Sequence, residues 1–137
     1  MAIKVFHQDE ARLMLPLISS DARMIVWPGV GAWHATMNYV RMKAGEENVP
    51  HSHSVSEDTI VVIEGRGSVD DLTNDVTLEF AAGDVIHVPV GVRHAVRANR
   101  GSPVVSVGGP APADVKFLRA CGADIPDEAG DASLPAR

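Results

Sequence analysis

With 137 residues, 45% of them hydrophobic and 22% charged, the chain has the size and mix of one globular domain with a core of its own. Twelve Lys and Arg stand against 18 Asp and Glu, a formal charge of −6, and no basic run could track a phosphate backbone, so no nucleic acid partner is expected. No apolar run approaches the roughly 20 residues of a spanning helix, and Met1-Ala2-Ile3-Lys4 does not start a secretory signal, so the expectation is a soluble, cytoplasmic protein with no membrane partner. The single Cys121 allows neither an intramolecular disulfide nor a multi-cysteine zinc site, which leaves His and carboxylate as the means of holding a metal.

The first segment carries one helical pattern, Asp9 to Leu17, with Leu13 and Leu17 four apart and a stop at Pro16 or at Ser19-Ser20-Asp21. A short N-terminal helix is predicted there. From Ala22 onward, Val-rich extended runs alternate with Gly, Pro, Asn and Asp: Met24 to Trp27, His34 to Met42, Thr59 to Glu64, Gly67 to Leu72, Val76 to Phe80, Val85 to Val88, Ala95 to Ala98 and Val104 to Val107. Short strands at this spacing predict a mainly β sandwich or barrel. The strand signal ends after Gly108-Gly109-Pro110, and residues 123 to 137 turn to Gly, Ala, Asp and Pro. The expected division is a barrel domain over 1–122 and an irregular C-terminal tail over 123–137. No repeat of 20 to 50 residues argues for a solenoid or propeller.

Two stretches carry the chemistry. In the first, His51 and His53 are two apart, so an extended backbone points both imidazoles to one side, and Glu57 and Asp58 follow after a short turn. In the second, Pro89-x-Gly91 makes a tight turn, and His94 stands on the returning strand where it can face the first pair. Three imidazoles and one carboxylate around a divalent ion carry a charge of about +1 and leave one or two positions open to a small ligand, for which an anion is suited.

Gly45-x5-His51-x-His53 with Gly65, followed by Gly83-x5-Pro89-x-Gly91-x2-His94, resembles the two motifs of the cupin superfamily. The resemblance covers residues 45 to 98 and implies a single-domain jelly-roll β-barrel over most of residues 20 to 110. It also implies one divalent metal ion, Fe, Mn, Ni or Zn, held by His51, His53, a carboxylate and His94. The carboxylate is Asp58 or Glu57: Asp58 stands at the family's distance from Gly65, Glu57 has the family's side chain one place earlier, and both faces of the following strand are mostly apolar. The fixed distance to the turn favours Asp58. Ala98 occupies the place of the second motif's asparagine, and Asn99 is one position beyond it.

The remaining candidates read as ordinary. His87 is expected to point outward or to be merely packed, Glu64 and Arg93 to be solvated, and Cys121 to lie outside the barrel strands. His7 and His34 lack ligand spacing. Trp27, Trp33, Met37 and Met42 suit core or dimer contacts, while Tyr39 or Arg41 could reach a substrate. The combined expectation is a metal-dependent protein acting on a small, anionic or oxygen-rich molecule. An oxygenase-type reaction leads; the rivals are a redox-neutral isomerase or lyase and a non-catalytic small-molecule-binding or sensing barrel. A homodimer is expected, because small jelly rolls must cover edge strands and a sheet face.

Overall fold

The computed structural model describes residues 2–125. Nine strands and one α-helix follow in chain order: β1 (Leu13–Met14), β2 (Asp21–Val26), β3 (Met37–Met42), β4 (Glu57–Glu64), β5 (Arg66–Asp71), β6 (Val76–Ala81), β7 (Val85–Val88), β8 (His94–Ala98), β9 (Val104–Ala111) and α1 (Val115–Ala120). They build a six-stranded sheet, β1-β2-β3-β9-β4-β7, facing a three-stranded sheet, β6-β5-β8. Every pairing is antiparallel. This is a jelly-roll barrel, as expected, and each of the eight predicted strands is present with ends shifted by a few residues.

The core lies between the sheets. Along β4, Asp58 and Val62 are buried with Ile60 half-buried between them, while Glu57, Thr59, Val61 and Ile63 are exposed, so the strand's alternation assigns one carboxylate to each side. Met42, Val62, Val69, Phe80, Val96 and Val104 pack across the interior. At the β4–β5 turn, Gly65 has φ 87°, and an added Cβ would collide with the Pro103 carbonyl.

The helix expected over Asp9 to Leu17 is not formed. A 3-10 turn spans Gln8–Glu10, and β1 then pairs with β2 through Leu13↔Met24 and Met14↔Arg23. Leu15 continues this by donating to the Ala22 carbonyl at 2.9 Å and is 1% exposed. A helix of under ten residues is marginal alone, whereas the edge of β2 offers backbone partners and the core beneath offers burial. The α-helix is instead near the other end of the chain, where Asp114 accepts from the Phe117 amide at 3.0 Å as the N-cap of α1. Of the tail expected over 123–137, residues 126–137 lie outside the described residues. Its first part packs on the body, with Ile125 7% exposed against the core. Among the described residues no helix is long and apolar enough to cross a membrane.

Candidate metal centre

Residues 46–51 form the wall that carries the first histidine. They run beside β8 as an irregular extra strand: Asn48 donates to the Val96 carbonyl at 3.0 Å, the Ala98 amide donates to Glu46 at 2.9 Å, and His51 and His94 exchange backbone bonds of 3.1 and 2.9 Å. The pairing sets His51 directly opposite His94. His53 is two residues on, where its carbonyl accepts from the Gly91 amide at 2.8 Å. Gly91 adopts φ 80° in the Pro89-x-Gly91 turn, so this turn is bonded to the first motif while it aims His94 inward. Asp58 enters from β4 in the opposite sheet.

One nitrogen or oxygen from each of His51, His53, Asp58 and His94 lies within 4.8 Å of all the others. His94, His53 and Asp58 are 2%, 3% and 5% exposed. Glu57 is not in the cluster: it points to the outer surface, with an oxygen 3.2 Å from His87 Nε2. His87 is likewise outward, and its Nδ1 is 3.1 Å from the Thr59 hydroxyl.

Each ring is held at Nδ1. His51 Nδ1 donates to the Val49 carbonyl at 2.8 Å and His94 Nδ1 to the Val92 carbonyl at 2.9 Å, a bond that fixes the proton on Nδ1 and leaves Nε2 with its lone pair. His53 Nδ1 bonds the Asp114 carboxylate at 2.6 Å. Asp114 therefore has two tasks, orienting His53 and capping α1. The sequence reading missed it; an isolated Asp beyond the last strand carries no ligand spacing, and only the chain's return over the barrel mouth brings it near. Phe117 comes with it, its ring 5.0 Å from that of His51 and 5.5 Å from that of His53.

The electrostatics divide the histidines. Burial pushes His51 down to about 4 and also lowers His94, so both are neutral at physiological pH, as metal ligation requires. Burial opposes charge on His53 as well, but its hydrogen bond to Asp114 and the nearness of the Asp58 carboxylate outweigh it and raise this group to about 9. The space between two buried carboxylates thus favours positive charge. His53 Nε2 and Asp58 Oδ1 are buried without a hydrogen-bond partner. Unmet buried atoms of this kind are costly, and a divalent cation would satisfy both, so the donor set fits the metal expected from the sequence.

The other candidates fall where the sequence placed them or in plain structural roles. Glu64 and Arg93 are exposed. Tyr39 and Arg41 lie on the outer face of β3, joined by a 3.3 Å bond from guanidinium to hydroxyl, and neither lines the barrel cavity. Cys121 is half-buried, and burial raises its thiol, which makes it a poor nucleophile.

A double-sheet barrel with a buried cluster of three histidines and one aspartate is the arrangement of a cupin, and the comparisons agree. Residues 38–107 match the model of the cupin domain, and the chain belongs to this family. Germin-like protein subfamily T member 2 of Arabidopsis thaliana is 37% identical over 78 residues, which make 55% of this chain and 36% of that protein, so the chain spans well under half of that relative's length. The polyketide cyclase RemF of Streptomyces resistomycificus superposes with a TM-score of 0.67 at 16% identity, covering 99% of this chain and 94% of its own. Bacillus subtilis oxalate decarboxylase, solved in work on its Mn(II) centres, gives 0.63 at 17% identity, over 78% of this chain and 29% of its own. At these identities the solved structures show a shared fold.

Proposed function

We propose that the chain is a metal-dependent enzyme acting on a small organic molecule, with an oxygenase-type reaction ahead of a redox-neutral isomerisation or lyase reaction. One observation carries the reading: three Nδ1-anchored imidazoles and one buried carboxylate converge with ligand atoms within 4.8 Å. His51, His53, Asp58 and His94 would hold one divalent ion, whose chemistry is redox activation of O₂ if iron and Lewis acidity if zinc, manganese or nickel. The residues themselves supply orientation and confinement. Val49, Val92 and Asp114 hold the imidazoles at Nδ1, Phe117 packs over the cluster, and Ile60, Val62, Val96 and Val104 leave room for only a few waters around the reacting centre. The Mn(II) centres of the decarboxylase, on the same fold, lend general support, as does the cyclase, whose barrel covers almost the whole of this chain.

The test is a panel of small acids, catechols and diketones offered to protein loaded with Fe(II), Mn(II), Ni(II) or Zn(II), with and without O₂. The oxygenase reading expects O₂ uptake with Fe(II), dependent on one panel member and lost with Zn(II). Turnover that persists without O₂ would instead establish the isomerase or lyase. Binding with no turnover under any condition would establish a sensing barrel, a reading favoured by the near-complete enclosure of His53 and His94, 3% and 2% exposed.

We further propose a homodimer in the cytoplasm. Supporting the first, Tyr39, Val107, Val61 and Val85 are successive cross-strand neighbours on the outer face of the large sheet, and Val61 and Val85 are 37% and 61% exposed. A single unpaired cysteine suits a reducing compartment. Light scattering that returns the 14.5 kDa monomer at micromolar concentration would exclude the dimer.

A further inference from the structure

The space at the metal cluster is too small for a substrate of any length. The barrel interior lined by His51, Asp58 and His94 has a cavity of about 40 Å³, room for about three waters. Toward the barrel mouth, the gap bounded by His53, Asp114 and Phe117 is about 10 Å³. Beside them, a cavity of about 530 Å³ opens between β6 and β7, each at one edge of its sheet, and this is the size of a small-molecule site, roughly 300–1,000 Å³. Phe80, Ile86 and His94 line both this groove and the barrel interior, so a single layer of side chains divides them.

The groove has a definite chemistry. Val69, Leu78, Val88 and Val92 give it an apolar floor, and Leu78 is 57% exposed, a poor state for a large aliphatic side chain unless something covers it. Its lining carries three carboxylates, Asp71, Glu79 and Asp84, beside the imidazoles of His87 and His94, with no Lys or Arg. A negatively charged tail would be repelled there.

We infer that the β6–β7 groove is the subsite for the body of the substrate, and that the substrate is an amphiphile: an oxygen-donor head small enough for the chamber beside His94, joined to an apolar, uncharged or cationic body. This rests on the metal-centre reading and narrows it. A small dicarboxylate, which would need positive charge at its far end, is disfavoured, while a longer chain or ring with a single chelating end is selected. The head reaches the cluster when Phe80 and Ile86, 6% and 9% exposed, turn aside, and the body keeps the groove's aliphatic side chains dry.

The test uses straight-chain hydroxamates from two to eight carbons, whose heads offer two oxygens, with calorimetry on Zn(II)-loaded protein. Affinity is expected to rise about three- to fourfold for each added methylene buried, and an eight-carbon hydroxamate ending in a carboxylate should lose most of that gain. Leu78→Lys, at a position 57% exposed, should abolish the length dependence, favour the carboxylate-ended compound and leave zinc stoichiometry unchanged. In metal-stripped protein, 1-octanol should shift the NMR methyl signals of Val69, Leu78 and Val92. Equal affinity for the two- and eight-carbon compounds in fully zinc-loaded protein, with no octanol shifts, would overturn the groove assignment. Octanol shifts in a protein that takes up no zinc would instead overturn the metal reading and leave the groove as an apolar ligand site.

Discussion

Glu57 and Asp58 are neighbours in sequence and each meets a histidine, yet the two pairs could hardly differ more in consequence. Asp58 Oδ2 is 3.4 Å from His53 Nε2 with the side chains 7% and 3% exposed, whereas Glu57 Oε1 is 3.2 Å from His87 Nε2 with the side chains 61% and 51% exposed. Distance does not separate them; solvent does. In water an ion pair of this kind contributes about 0–1 kcal/mol, and the imidazole and carboxylate keep their hydration. Inside the barrel the same groups have lost that hydration, leaving His53 Nε2 and Asp58 Oδ1 unmatched. A strand's inward face thus converts an ordinary pair into a site by removing the alternatives to ligation.

The contrast breaks most directly at the inward face. His94→Ala and Asp58→Ala should each abolish stoichiometric metal after stripping and reloading, as measured by elemental analysis, while the unaltered protein regains one ion per chain. Because the ion binds the folded state, excess metal at 100 times the dissociation constant should raise unfolding free energy by about 2.7 kcal/mol, a shift that thermal denaturation would read and that both variants should lose. A wild-type response in either would remove that residue from the ligand set.

Asp114 comes next. Asp114→Ala removes the cap of α1, costing about 1 kcal/mol, and leaves the His53 Nδ1 proton unmet, costing about 1–3 kcal/mol more. Metal affinity should fall roughly 10- to 100-fold, the usual cost of losing the group that orients a ligating histidine. Asp114→Asn separates the two roles, since Asn caps about as well as Asp but brings no charge to His53. It should regain most of the stability in a urea titration and little of the metal affinity; full recovery of both would show that capping was the whole contribution.

How much of this could be read beforehand follows from where each signal resides. The barrel and the three histidines were legible because local geometry sets them: strand alternation aligns His51 with His53, and the Pro89-x-Gly91 turn returns the chain at a fixed distance for His94. The choice between Glu57 and Asp58 was open because both faces of β4 are rich in Ile and Val; Val61 and Ile63 look like core residues but are 37% and 49% exposed on the outer face of the sheet. The N-terminal helix was misread because Leu13 and Leu17 have helical spacing, while the competing partner of that segment, β2, is supplied by tertiary structure. Asp114 and Phe117 were invisible for the same reason at longer range, 61 residues separating Asp114 from His53.

The smallest expected effect is the sharpest check on the contrast between the two carboxylates. Glu57→Ala and His87→Ala remove an exposed pair that also touches the Thr59 hydroxyl. Solvent replaces whatever either partner loses, so each single change and the coupling between them in a double-mutant cycle should stay within about 1 kcal/mol, and the coupling should shrink further as salt screens exposed charge. Metal stoichiometry and affinity should be unchanged in all three variants, because neither side chain faces the barrel interior. A Glu57→Ala protein that fails to bind metal, with Asp58→Ala binding normally, would reverse the assignment of the carboxylate. It would mean that β4 shifts its register by one residue when metal binds, turning its outward face inward, and that shift would also have to expose Val62, now 1% exposed, to solvent. The burial of Val62 is what holds the register, so Asp58 stays inside and Glu57 out.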